Sequence, residues 1–313
     1  DITFFGTVNG TTAGSQSLTM TAIGDITFKG AVGAAVDPAD NTINVGRLGT
    51  IDIVDATNVT VESTSSIFAA SLLQRAGSGI TTFDGEIDTS ASVALPAVLN
   101  ISESYGVWIN NQNLALNNSI NTTGNGRVVF NQAGTIDIAA LGDITADGEV
   151  SMTAVNGIST AGDVTTTADN ITFASATTLT GNVSLNTGVG AGDITFVSTL
   201  NTNAAGSHTL MLESDGGHIN FKDNVGTGTD GRLGVVTVNA ATNVVLGMDS
   251  AHAFKAAAFV QAVTGGGEFT LTGSLDTNAG GVTIDSNQVD LDGDITTTAG
   301  NDGSTDNGKV TIN

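Results

Sequence analysis

A long internal repeat is the feature that most restricts what this chain can fold into. Asp1–Met20 reads DITFFGTVNGTTAGSQSLTM, and it aligns without a gap with Asp193–Leu212, which reads DITFVSTLNTNAAGSHTLML. Further along, Gly46–Val59 reads GRLGTIDIVDATNV and matches Gly231–Val244, which reads GRLGVVTVNAATNV. A sequence that repeats at a long period encodes a structural unit that is built more than once.

The repeat sets the predicted domain organisation. Residues 1–192 are one copy of a solenoid unit of about 190 residues, and residues 193–313 are a second, truncated copy. We expect the two copies to make one continuous rod. The second copy stops where its finishing segment is due, so we expect the parent protein to continue, with further copies.

A shorter rhythm inside each copy predicts β-strands. Brief phrases of the form GDITF, GTIDI, GDIT or GDVT begin at Gly24, Gly49, Gly134, Gly142, Gly162 and Gly192. In one of them, apolar Ile136 and Ile138 flank polar Asp137. This alternation is typical of a half-buried strand, and the Gly, Asn and Asp residues between the phrases are typical of turns.

Strands this short need many neighbours, and stacked coils supply them. The loose spacing favours a coiled ribbon over a closed sandwich. We therefore predict an all-β fold, a right-handed parallel β-helix (β-solenoid) of about 20–25 residues per coil, with about 14 coils in the chain. Ile, Val, Leu and Phe are expected inside, and Thr, Asn, Ser and Asp are expected outside in ladders of like residues.

Two corresponding segments leave a helix open as an alternative. Ser65–Gly77 and Ala251–Gly265 are rich in helix formers, so a short helix packed on the solenoid is possible at each. We favour strands, because each segment is followed by Gly-rich residues and then directly by a strand-like phrase, ITTF in one copy and EFTL in the other.

Charge and composition argue against several partners. The chain has 8 Lys and Arg residues against 31 Asp and Glu residues, for a net charge of -23. Nucleic acids and anionic membrane surfaces are bound by basic patches, so neither partner is expected. The chain has no Cys, which excludes disulfides and thiol nucleophiles. No stretch approaches the ~20 apolar residues of a membrane helix, so no membrane insertion is expected.

Candidate metal ligands are few. The histidines are His208, His218 and His252, and the first two align with Gln16 and Asp25 of the other copy. Surface histidines are therefore favoured over a zinc site.

Carboxylates cluster in two places near the end of the sequence. Asp290, Asp292 and Asp294 alternate along one predicted strand, and Asp302 and Asp306 lie in GNDGSTDNG at a spacing loosely like that of a calcium loop. The glutamate that closes such a loop is missing. We expect solvated turns, no metal site and no cofactor, with adventitious calcium left open.

Catalysis has no motif to support it. β-Helices that cleave polysaccharides need clustered carboxylates and basic groups that hold an acidic sugar. The arginines are instead far apart, at Arg47, Arg75, Arg127 and Arg232, and Arg47 and Arg232 hold the same position in the two copies. A residue that recurs with the repeat is explained by the architecture of the unit. We expect the chain not to be an enzyme and assign no catalytic or cofactor-binding residue.

Two further features carry little weight in the sequence. Tyr105 and Trp108 are the only Tyr and Trp and have no counterpart in the second copy, so a repeated ligand site is not expected there. Asn-x-Ser/Thr triplets, including those at Asn58, Asn100 and Asn182, are explained by the high frequency of Asn and Thr.

The phrasing of the repeats resembles that of a known family. SLLQRAGSGITTFDGEIDT, NITFASATTLTGNVSLNTGVGAGDITF and LDTNAGGVTIDSNQVDLDGDITTTAG are similar to the β-strand repeats of very large bacterial surface proteins. Those proteins are similar to filamentous-haemagglutinin-like adhesins, whose shafts are right-handed parallel β-helices. The resemblance covers nearly the whole chain. It implies export, a long fibrous shaft and a role in adhesion or cell-surface architecture, and it brings no catalytic residue with it.

These observations together predict an extracellular structural or adhesive protein of the bacterial cell surface, a segment of repeat shaft in a fibrous adhesin or surface filament. Its expected partners are further copies of its own repeat, joined head-to-tail or laterally, and surface glycans. A carbohydrate-binding or polysaccharide-cleaving β-helix is one alternative, and it predicts a groove with clustered acidic and aromatic residues in one copy only. A surface-layer or sheath protein is the other, and it predicts regular lateral contacts.

Overall fold

The structure is all-β throughout the residues that it describes. It is a computed structural model that describes residues 1–34, 46–90, 93–94, 104–262, 267–298 and 308–313. These residues form 33 strands and no helix. Packing divides the chain into two compact units, Asp1–Asn156 and Gly157–Asn313.

The strands of the first unit are short, and most have three to five residues. In chain order they are β1 Ile2–Phe4, β2 Leu18–Thr21, β3 Ile26–Phe28, β4 Leu48–Asp55, β5 Val59–Val61, β6 Ser66–Gln74, β7 Ile80–Phe83, β8 Glu86–Thr89, β9 Val93–Ala94, β10 Ser104–Tyr105, β11 Val107–Asn111, β12 Asn113–Leu116, β13 Ile120–Thr122, β14 Val128–Gln132, β15 Ile136–Ile138, β16 Ile144–Ala146 and β17 Val150–Ala154.

The second unit has similar short strands and three longer ones that bend around corners. In chain order they are β18 Ile158–Thr160, β19 Val164–Thr166, β20 Ile171–Phe173, β21 Thr177–Leu179, β22 Val183–Asn186, β23 Ile194–Phe196, β24 Leu200–Thr202, β25 Leu210–Phe221, β26 Leu233–Leu246, β27 Ala253–Ala262, β28 Glu268–Leu271, β29 Ser274–Thr277, β30 Val282–Asp285, β31 Gln288–Leu291, β32 Ile295–Thr297 and β33 Val310–Ile312.

Three parallel ladders run through the first unit. One joins β1, β3, β5, β7, β12 and β15. Another joins β2, β4, β6, β11, β14 and β17. The last joins β6, β8, β13 and β16. A turn therefore has three faces, and its strands run parallel to those of the next turn. Outside the ladders, β9 and β10 form a small antiparallel pair.

Three parallel ladders also run through the second unit. One joins β18, β21 and β24 and continues through Val225 to β27, β29 and β32. Another joins β19, β22, β25, β26, β27, β30 and β33. The last joins β20, β23, β25, β26, β28 and β31. The predicted parallel β-solenoid is confirmed.

Turn length matches the prediction, but the number of turns is smaller. There are about 12 turns of roughly 23 residues, where we predicted about 14 coils. Hydrogen-bonded residues of successive turns are 22 positions apart at Asn58 and Ile80 but 33 apart at Asp25 and Asn58. Longer turns of this second kind leave fewer turns for the same length of chain.

The two segments rich in helix formers are strands. In the first, β6 pairs with β4, with β8 and with β11, so a helix there would leave strands on both sides without hydrogen-bond partners. Inward residues such as Ile67 and Ala69 alternate with half-exposed residues in the first part of β6, and the last four residues of the strand are all buried. Pairing with neighbouring turns therefore overrides the local helix propensity, and β27 shows the same outcome in the second unit.

The interior of each unit is mostly apolar and in register from turn to turn. Phe4 and Phe28 stack with ring centroids 5.1 Å apart in the first unit. Phe173, Phe196 and Phe221 stack in the second, with successive centroids 5.0 Å and 5.2 Å apart. These separations follow from the ~4.8 Å spacing of paired strands, which places identical residues directly above one another.

A hydrogen bond at the corners explains why the strand phrases follow glycines. Asn113 Oδ1 accepts a hydrogen bond from the backbone N–H of Thr135 on the next turn, at 2.9 Å. A Cβ on Gly134, just before Thr135, would lie 2.1 Å from that Oδ1 and 2.7 Å from the carbonyl oxygen of Gln112. Only glycine leaves room for the side chain from the turn before.

The same arrangement recurs in both units. We call the residues that accept such a bond corner acceptors, and they are Asp1, Asn58, Asn113, Asn170, Asp193 and Asn243. Each accepts the N–H of the residue that follows a glycine one turn later, and the bond lengths run from 2.7 Å to 2.9 Å. The glycines that begin these phrases thus make room for a side-chain hydrogen bond that joins two successive turns.

The corner geometry predicts a large cost for a methyl group at Gly134. We expect Gly134→Ala to lower the free energy of unfolding by about 1–3 kcal/mol, because the added Cβ displaces the Asn113 side chain and breaks its bond to Thr135. Urea-induced unfolding checks the stability, and amide hydrogen exchange at Thr135 checks the bond.

Gly6→Ala is the matched control for this substitution. A Cβ on Gly6 would have no atom within 4 Å, and Gly6 is not held at a positive φ. We expect this variant to match the parent protein or slightly exceed its stability. Equal stability of the two variants would contradict the steric account of the corner.

Candidate functional site

An arginine in the first unit ties three successive turns together. Arg47 directly precedes β4, and its side chain is 8% exposed. Its Nη1 donates to the carbonyl oxygens of Ala69 and Asp88 at 2.9 Å and 3.0 Å. Its Nη2 donates to Asp88 Oδ1 at 2.6 Å. The two partners follow Arg47 by 22 and 41 positions, so each lies one turn beyond the previous residue.

The second unit contains the same arrangement. Arg232 Nη1 donates to the carbonyl oxygens of Ala256 and Asp276, both at 2.9 Å. Its Nη2 donates to Asp276 Oδ2 at 2.6 Å. We call each set an arginine brace: Arg47 with Ala69 and Asp88, and Arg232 with Ala256 and Asp276. The recurrence of this arginine in the sequence therefore has a structural reason.

Each brace depends on the shape of the guanidinium group as well as on its charge. The planar group places several donors in a fixed fork, so one side chain reaches two carbonyl oxygens and a carboxylate together. The carboxylate balances the charge that the fold partly removes from water. Arg47 also lies 5.6 Å from the ring centroid of Phe68. A brace thus joins successive turns, and its guanidinium and carboxylate groups are paired with each other.

Other basic side chains are also paired with acids. Arg75 forms a two-point ion pair with Asp52. Arg127 Nη2 lies 2.6 Å from Glu149, and the Arg127 guanidinium carbon lies 5.3 Å from the ring centroid of Tyr105. Each of these two arginines therefore has its own acidic partner on the solenoid.

The three histidines lie in separate surroundings. His208 Nε2 is 2.8 Å from Asn203 Oδ1. The backbone N–H of His218 donates to the corner acceptor Asp193. His252 Nδ1 accepts from the N–H of Met248 at 3.0 Å and is 3.4 Å from an Asp249 oxygen. Among the residues that the structure describes, no three His, Asp or Glu side chains are placed to hold a metal ion.

The carboxylates singled out in the sequence are not brought together in one site. Asp290 lies opposite Thr270 in the ladder between β28 and β31. Asp292 and Asp294 line an open groove of about 170 Å³ with Ser250 and Thr272. Asp302 and Asp306, like Asn100, fall outside the described residues.

Tyr105 and Trp108 do not form a ligand platform. Tyr105 and Trp108 are each 4% exposed, and they pack with Leu73 and Val129. Their ring centroids are 6.2 Å apart. A second open groove, of about 220 Å³, is lined by Asp163, Asn182, Val183, Ser184, Thr209 and Met211. Neither groove has an aromatic wall, which a sugar-binding cleft of the kind considered above requires.

Sequence reasoning missed the acidic partners of the braces and the corner acceptors. A signal for the partners was present, because GEIDT at Gly85–Thr89 aligns with GSLDT at Gly273–Thr277 and so places Asp88 on Asp276. For the corner acceptors the signal is an Asn or Asp about one turn before a glycine phrase.

No family model, no curated protein and no solved structure matches this chain. The chain is therefore described by its fold. In the described part of the chain, no helix has the length and apolar character to cross a membrane. The class that the structure defines is a repeat β-solenoid whose recurrent polar residues fasten one turn to the next.

The brace geometry predicts that loss of Arg232 weakens the second unit. We expect Arg232→Ala to lower its free energy of unfolding by about 2–4 kcal/mol, because two carbonyl oxygens and the Asp276 carboxylate lose their donor. Arg232→Lys should restore only part of this, since an ammonium group lacks the planar fork. Urea unfolding and hydrogen exchange in β27 and β29 measure both effects.

Lys222→Ala is the matched charge control. Lys222 is exposed, and the described residues give it no ion pair, so we expect a change within about 0.5 kcal/mol. If Arg232→Ala is no more destabilising than Lys222→Ala, the brace does not stabilise the unit.

Proposed function

We propose that this chain is a segment of the structural shaft of an extracellular bacterial adhesin or surface filament, and that it is not an enzyme. The observation that carries the proposal is the use made of its polar side chains. The recurrent Asn, Asp and Arg residues bind the backbone of neighbouring turns at the corner acceptors and the arginine braces. In a chain built in this way, the recurrent polar side chains serve to hold successive turns together.

The repeat supports the shaft proposal because it makes length adjustable. Turns in a solenoid contact mainly their neighbours, so copies of a unit can be added without redesign of the rest. Braces of the same kind occur in both units, at Arg47 and at Arg232. Each brace spans three turns, so turns cannot separate at that point unless several charge-assisted bonds break together.

The charge of the chain fits a crowded cell surface. A net charge of -23 opposes sideways association by like-charge repulsion. Head-to-tail continuation through further copies of the repeat is the partner that we propose first, with surface glycans as the target of the parent protein. The carbohydrate-cleaving and surface-layer alternatives have no feature in the described residues that favours them over the shaft.

Immunogold electron microscopy of cells that produce the parent protein tests the proposal. Antibody against this segment should label filaments outside the envelope. Deletion of one repeat unit from the gene should shorten the distance from envelope to filament tip by a constant amount, because a shaft sets that distance. Binding by the tip should not change.

A deletion elsewhere in the parent gene, matched in length but outside the repeats, is the control for expression and export. Label confined to the cell interior would contradict the proposal. Turnover of a polysaccharide by this chain, lost when Asp292 and Asp294 are replaced by Asn, would instead establish the enzyme alternative.

A further inference from the structure

The turn between β26 and β27 is closed by a histidine ring. The backbone N–H groups of Met248 and Asp249 donate to His252 Nδ1, at 3.0 Å and 3.3 Å. A ring nitrogen accepts a hydrogen bond only when it carries no proton, so this turn requires a neutral imidazole whose proton is on Nε2. The bonds that close the turn therefore depend on a type of side chain that gains a proton in mildly acidic solution.

The first unit closes the corresponding turn without a titratable ring. Ser65 directly precedes β6, and His252 directly precedes β27. Each donates its backbone N–H to a carbonyl oxygen three positions earlier, on Glu62 and on Asp249. The Ser65 hydroxyl then donates to the carbonyl oxygen of Gly30 at 2.9 Å. A serine hydroxyl does not change its charge near neutral pH, so only the second unit places a proton acceptor in this turn.

Two carboxylates face the ring of His252. Asp249 Oδ1 lies 3.4 Å from Nδ1 in the same turn, and Asp223 Oδ1 lies 3.8 Å from Nε2 in the turn before. The His252 side chain is 20% exposed, so a proton reaches it from water. The pocket beside the ring is otherwise lined by residues without charge, which are Leu246, Gly247, Ala253, Phe254 and Ser274. Each ring nitrogen of a protonated His252 therefore has a carboxylate nearby.

Protonation reverses the role of Nδ1. In an imidazolium both nitrogens donate, so Nδ1 can no longer accept from the N–H groups of Met248 and Asp249. It is directed instead to the Asp249 carboxylate, whose Oδ1 already accepts the N–H of Ala251 at 2.8 Å. The neutral ring and the charged ring therefore need different arrangements of the same turn.

We propose that His252 is a proton-dependent latch on this turn. The neutral ring holds the turn closed through Met248 and Asp249, and the ring that has taken a proton from water on Nδ1 releases it. Ser250, in the middle of the turn, lines the open groove that also contains Asp292 and Asp294, so release changes the wall of that groove.

The latch is local to the turn. The Ser274 N–H donates to the His252 carbonyl oxygen at 2.9 Å, and the Ala253 N–H donates to Asn224 Oδ1 at 2.9 Å. Neither bond involves the ring. The neighbouring turns therefore stay joined on both sides when the latch opens.

Amide hydrogen exchange of the folded 313-residue chain, followed by NMR from about pH 8 to about pH 5, tests the latch. Each rate is divided by the intrinsic rate of that amide at the same pH. Protection at Met248 and Asp249 should fall by about fivefold or more as the His252 ring signal titrates, because each N–H loses a hydrogen bond. The Ser65 amide of the first unit should show no such fall.

His252→Asn is the matched variant. Its Oδ1 takes the place of Nδ1 as an acceptor for the Met248 N–H, but an amide gains no proton in this pH range, so the turn should stay closed throughout. His208→Asn is the control for replacement of a histidine, since His208 is bonded to Asn203 in other surroundings. The pH dependence at Met248 should be retained in this control.

Three results would overturn the proposal. One is a His252 ring that titrates while Met248 keeps equal protection at both ends of the pH range. Another is a His252→Asn chain in which the turn still opens in acid. The last is a loss of protection that spreads through β27, because this would show unfolding of the unit and not the release of one turn.

Discussion

The register of each turn on the next is the constraint on which this structure depends. Side chains on a strand alternate between the two faces, so a slip of one residue would turn every core side chain outward. The backbone ladders alone resist such a slip weakly, because their hydrogen bonds are the same at every step. The corner acceptors add to the specificity that the buried apolar face supplies. The bond from Thr135 to Asn113 forms only in one register, and the absent side chain of Gly134 admits it only there.

The sequence predicted those features of the fold that depend on residues close together in the chain. Ile136, Asp137 and Ile138 carry their alternation within three residues, so the strand and its inward face could be predicted. The partner of Arg47 could not, since Asp88 is 41 positions away and reaches it only through the lengths of the intervening turns. Similarly, β6 is rich in helix formers and is a strand because of β4, β8 and β11, which lie elsewhere in the sequence.

The candidate site was predictable to a different degree. Recurrence of Arg47 as Arg232 indicated an architectural role, and the braces supply it. The corner acceptors were not predicted, because Asn is frequent in this chain and no local sequence pattern distinguishes the residues that accept these bonds. What distinguishes Asn113 is the position of a glycine one turn later. A pattern of this kind becomes visible only when the turn length is known, and turn length varies from 22 to 33 positions between hydrogen-bonded corners.

The neighbour one turn earlier decides how the amide of an asparagine that binds the next turn is paired. Beneath Asn58 that neighbour is Asp25, which accepts a hydrogen bond from Nδ2, so the whole amide is used to hold neighbouring turns. Beside Asn182 the previous turn offers Ala161, whose Cβ packs against Gly181 and which has no side-chain acceptor. Both asparagines hold the next turn through Oδ1, at 2.8 Å and 3.0 Å. A change of one residue in the preceding turn can therefore pair or free the amide nitrogen without altering the register that holds the solenoid together.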